Sequence, residues 1–169
     1  MKRSSLWQAA GFAVSTLLGT LLHFLYDWTG AFAIFSGVNE STWEHMKLLY
    51  WPLFLFAIFQ RFFYREKNFW WVKLGATVLG LALIPVLFYT YNGAFGKSPD
   101  WLNIAIFYVA AAGAFLFEWW VFRKNLLQWK YPQLALGALV LIGILFVVFT
   151  FSPPRIPLFQ DAVTGKFGI

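Results

Sequence analysis

His23, Asp27, Glu40, Glu44 and His45 concentrate imidazole nitrogens and carboxylate oxygens between positions 23 and 45 of an otherwise apolar chain. These donor types can hold zinc or another divalent transition metal. His23, Asp27, Glu44 and His45 are the candidate ligands, which leaves Glu40 free as the general base for a metal-activated water. Glu44 is a second catalytic candidate. Arg155 is a third, because the prolines of SPPRIPLFQD hold its guanidinium ready to pair with Glu40 or Glu44, or to grip an anionic group. Asn39, Lys47 and Asp161 complete the candidate site. The spacing is not that of an HExxH helix, and no known zinc motif is matched. Without metal, the same groups could relay protons or bind a cationic solute, since titratable groups near helix ends also build ion pathways.

Each residue also has a structural explanation. Ser41 and Glu44 have the spacing of a capping box, in which each side chain takes the other's free amide. Lys47 could snorkel to the headgroups, and Arg155 could contact lipid phosphate. His45 suits an interfacial ring, Asp27 a helix end at the water boundary, and His23 an interhelical hydrogen bond. Glu118, near the opposite end of its helix, reads as a structural partner of Arg123, Lys124 or a basic residue after the second helix.

The elements that must position these residues follow from composition. Of 169 residues, 60% are hydrophobic and 12% charged, too few charges to cover a soluble globule. Stretches of about 20 apolar residues cross a bilayer as helices. Five such stretches predict an all-α integral membrane bundle with helices at 6–28, 42–63, 70–91, 101–122 and 133–151, forming a single domain over 1–169. The first follows Met-Lys-Arg but is long and lacks a small-residue cleavage site, so it is expected to be retained. Many of the ten tryptophans flank these stretches, as in an interfacial belt. Absent cysteine removes disulfides, thiolate nucleophiles and Cys-ligated metals.

Basic residues set the expected orientation. With five spans, one side collects nine Lys and Arg against two acidic residues, and the other four against five. That places the N-terminus inside and the C-terminus outside, with the candidate site outward. The net charge of +6 thus reads as topology, and nucleic acid is not expected as a partner. The segment 29–38 (TGAFAIFSGV) is too apolar for an ordinary loop and too short to span, so it is expected to be interfacial or re-entrant. Pro52 and Pro85 fall inside helices. The tail 152–169 is expected to run extended and fold over the outer face. Gly19, Gly75, Gly80, Gly113, Gly137 and Gly143 suit close helix approaches. No internal repeat is evident.

At VNESTWEHMKLLYWP, PPRIPLFQDAVTGKFGI and HFLYDW, the chain resembles a family of small bacterial multi-pass membrane proteins, a domain of unknown function, along its full length. The resemblance implies a bacterial cytoplasmic membrane location and a shared outer-face signature, but no chemistry. The expected function is an outward-facing site, with a metal-dependent intramembrane hydrolase of a lipid or amphiphile as the first reading. A proton- or cation-coupled transporter, a solute-binding membrane protein and a structural membrane subunit are the alternatives. The bilayer is the expected partner, together with a lipid or small-molecule substrate. The sequence leaves the oligomeric state open.

Overall fold

The computed structural model describes residues 3–169, as five helices and a short 3₁₀ turn. The helices are α1 (Arg3–Thr29), α2 (Thr42–Arg61), α3 (Phe69–Phe95), α4 (Asp100–Lys124) and α5 (Pro132–Phe151), with the 3₁₀ turn at Pro157–Phe159. Four of them, α1, α3, α4 and α5, are long and apolar enough to cross a membrane. Local chemistry sets the ends. Ser41 caps α2 by accepting the Glu44 amide, Pro132 opens α5 where a missing N–H costs nothing, and Asn125 closes α4 in the left-handed conformation. The third helix runs on to Phe95, past its expected end, and the Asn92 side chain then organises the turn by accepting the Ser98 amide at 2.8 Å.

Sequential helices run antiparallel. Along α1 and α2, Trp7 stacks on Phe63 at one end and His23 lies beside His45 at the other. Along α3 and α4, Lys73 meets Glu118, and Gly80 abuts Ala114 and the Ala110 carbonyl. Helix α2 packs against all four other helices. Its share of charge and tryptophan lowers its mean hydropathy, but Glu44 and Lys47 turn inward, where Leu48, Leu49 and Tyr50 are also buried. Pro52 and Pro85 sit within continuous helices. A Cβ on Gly143 would come within 2.6 Å of the Tyr50 hydroxyl, so that glycine is needed for the α2–α5 approach, whereas Gly137 has open space and is not a contact point as expected.

The connector between α1 and α2 is tied deep into the bundle. Ser36 is fully buried. Its hydroxyl accepts the Tyr26 amide at 2.8 Å and donates to the Leu22 carbonyl at 2.5 Å. It thereby occupies the place of an i to i−4 backbone bond of α1. Trp51 donates to the Ile34 carbonyl at 2.8 Å, nine residues into α2 and so about 13 Å along it. The tail is anchored by buried Phe159, whose ring lies 4.7 Å from Trp43 and 5.4 Å from Phe149.

Candidate functional site

The polar residues at the start of α2 divide into two groups a turn apart. The first is a half-exposed rim. Glu40 stands on the connector just before α2, and its carboxylate reaches His23 of α1 at 3.7 Å and His45 of α2 at 3.4 Å, one oxygen to each Nε2. The two imidazole centroids are 5.6 Å apart. His45 is oriented by its other nitrogen, 2.9 Å from the Ser41 carbonyl. An imidazolium at either position would therefore be paired with the same carboxylate.

The second group is closed to solvent. Lys47 is fully buried, and its ammonium lies 2.5 Å from Glu44 while donating to the Ala33 carbonyl and the Thr150 hydroxyl, each at 2.8 Å. Glu44 also accepts the Val38 amide at 3.1 Å and faces Thr150 at 3.3 Å. These contacts tie α2, the connector and α5 into one knot. They also correct three expectations. Lys47 does not snorkel, because its charge is satisfied inside. The capping box is one-sided, since Glu44 faces Lys47 while the Ser41 amide goes to Asn39 Oδ1 at 2.9 Å. And the ligand set His23, Asp27, Glu44 and His45 does not assemble: Glu44 is neutralised by Lys47, and Asp27 is exposed with no ion pair among the described residues. Among those residues no group of three or more His, Asp or Glu is placed to hold a metal ion. The zinc-dependent arrangement is thus unsupported by the donor geometry.

The tail contributes to the rim, though not through Arg155, which is exposed and pairs with neither Glu40 nor Glu44. Its predicted partners are already engaged, by two imidazoles and by Lys47. Instead, Asn39 donates to the Gly168 carbonyl at 3.0 Å, and the Glu40 amide donates to Asp161. Asp161 also accepts the Thr164 hydroxyl at 2.5 Å and the Val163 amide at 2.9 Å. Burial pushes the Asp161 carboxyl up, but these hydrogen bonds outweigh it and leave the group below the ordinary carboxylate range.

The other end of the bundle holds a second polar centre, for which the sequence offered Glu118 several basic partners without naming Lys73. Lys73 holds both Glu118 oxygens, at 2.7 and 2.6 Å, with both residues buried and the ammonium facing the rings of Phe56, Phe69 and Phe115 at 5.5–5.8 Å. Glu118 thus pairs with a basic residue after the second helix, Lys73, and not with Arg123 or Lys124; Arg123 lies over Trp119. A signal was available, in that Lys73 stands a turn inside an apolar run and Glu118 stands at matching depth in the following antiparallel helix. Thr150 and Ser36 gave no such signal, being ordinary hydroxyls in apolar segments.

Long apolar helices, charges paired inside the bundle and a polar rim at one end define a helical multi-pass membrane protein. The chain matches a family of unknown function (DUF6512) over residues 1–169 and belongs to it. No curated protein and no solved structure matches it.

Proposed function

We propose that this protein is a proton- or cation-coupled transporter or solute-binding membrane protein whose outward rim, Glu40 between His23 and His45, is its proton-binding site. The observation that carries the reading is the shared carboxylate: groups on α1, the connector and α2 meet at one point that is still open to water. Titratable groups near a helix end in a membrane protein are a recognised setting for proton relays and ion pathways.

The full chain acts in this reading as one domain in a bacterial cytoplasmic membrane, N-terminus inside and C-terminus outside. Helix α2 serves as a fifth span, long enough at 20 residues, with the Glu44 and Lys47 charges that lower its hydropathy buried and paired inside the bundle. The connector 30–41 is a re-entrant element, supported by its bonds to Leu22, Lys47 and Trp51 well below the helix ends. The tail is a lid on the rim, supported by the Asn39 and Glu40 bonds to it.

Proteoliposomes on a solid-supported membrane test the proposal without knowledge of the solute. A jump in outer pH from about 8 to about 5.5 brackets the titration range of imidazole, and should displace charge as the rim takes up protons. Glu40→Gln should lose most of that displacement. An unchanged signal in Glu40→Gln would exclude the rim as the proton-binding site.

A further inference from the structure

The tail folds back on itself into a rigid support. Gln160 and Phe167 form an antiparallel bridge, the Asp161 amide donates to the Lys166 carbonyl at 2.9 Å, and Asp161 locks the turn between them. Gly168, in the left-handed conformation at φ +71°, lies against Pro153 where a Cβ would come within 3.1 Å. Beside this support lies a pocket open to solvent, of about 500 Å³ and lined by Pro153, Arg155, Lys166 and Phe167. Arg155 and Lys166 are both exposed, and neither enters any ion pair among the described residues. The nearby carboxylates are spent elsewhere, Asp161 on its own turn and Glu40 on the two imidazoles.

We infer that this pocket binds a phosphate-bearing anion, with Arg155 and Lys166 gripping the phosphate oxygens and Pro153 and Phe167 supporting the adjoining apolar part. Arginine offers a planar fork of donors that matches phosphate, and lysine adds a compact charge. The two cations line the same pocket, so one anionic group can meet both. The same chemistry could be presented by an anionic phospholipid headgroup or by a free phosphate compound. This site is independent of proton uptake at the rim.

The test uses the full chain in neutral detergent, with lipid retention followed by native mass spectrometry. Phosphatidylglycerol, phosphatidylcholine and inorganic phosphate serve as probes. Phosphatidylglycerol should be retained more strongly than phosphatidylcholine. Arg155→Gln/Lys166→Gln should weaken that retention by more than about tenfold, the scale of a single lost charge-assisted contact, since two are removed. Lys97→Gln, at another outer loop, should leave retention intact. Arg155→Lys, which keeps the charge but loses the fork, should fall between, and circular dichroism should show unchanged helix content in every variant. Competition by millimolar inorganic phosphate would assign the ligand to the phosphate group itself, whereas its failure would assign it to the lipid headgroup. Equal retention by the double variant and the wild type, or an equal loss in Lys97→Gln, overturns the pocket.

Discussion

The two ends of the bundle handle charge in opposite ways. At one end, Lys73 and Glu118 are sealed among aromatic rings and have only each other as charged partners. At the other end, Glu44 and Lys47 are equally buried but share a network with Ser41, Val38, Ala33 and Thr150, and a turn away Glu40 and its imidazoles remain open to water. The difference teaches that buried charge joins elements, α3 to α4 through Lys73 and Glu118 and α2 to the connector and α5 through Lys47 and Glu44, while Glu40 and its imidazoles stay partly exposed beside them. A sealed pair cannot titrate cheaply, because either charge alone in a low-dielectric interior is strongly disfavoured.

The largest expected effect comes from breaking the sealed pair. Glu118→Gln or Lys73→Met should each cost about 3–5 kcal/mol, since the partner is left as an uncompensated buried charge. Lys73→Met/Glu118→Leu should recover most of that loss. Reversible unfolding in mixed micelles measures all three, and a cost near zero for the single variants would erase the contrast between the two ends. Lys47→Met should cost somewhat less, about 3 kcal/mol, because Glu44 keeps the Val38 amide and the positive end of the α2 dipole.

Thr150→Val should cost about 1–2 kcal/mol, removing one acceptor from the Lys47 ammonium and the one hydroxyl donor that the Phe146 carbonyl at 2.9 Å and Glu44 at 3.3 Å share. The same unfolding assay reads it, and a loss as large as that of Lys47→Met would mean that the knot is held chiefly by α5.

Acid should act on the tail. Asp161 lies below its ordinary value of 3.8 when folded. Its contribution is therefore full above that value, and it is lost as pH falls through the lower folded one. Acidifying from about pH 5 towards 2 should release the tail, seen as faster proteolysis after Arg155 by an acid-tolerant protease. Asp161→Asn should make that release independent of pH across the same interval. The smallest effect on stability is expected for Glu40→Gln, within about 0.5 kcal/mol because the rim is solvated. A stability loss comparable with Lys47→Met would place Glu40 with the structural pairs and against the proton-binding reading.

Much of the scaffold could be read before any coordinates. Runs such as LALGALVLIGILFVVFTF leave a helix little alternative in lipid, and Ser41 at the start of α2 is a cap in the structure as in the sequence. The short connector implied that α1 and α2 are neighbours, but it did not say that His23, Glu40 and His45 would meet there while Glu44 turned to Lys47. The partners of Glu44, Lys47 and Glu118 were a different matter. Ser41 at i−3 suggested a mutual cap, yet an ammonium one turn further along α2 is a stronger partner for a carboxylate than a neutral amide, and Lys47 took it.

Composition and hydrophobic run length determined the class of protein and its five helices, because transfer into lipid depends on what each segment contains. Which charges became sealed and which stayed open was decided only by tertiary structure. Lys47 and Glu44 became interior once α5 brought Thr150 alongside, and Lys73 found Glu118 across 45 residues of chain. Pairing energy depends on distance and on the surrounding dielectric, and neither exists until the helices are packed.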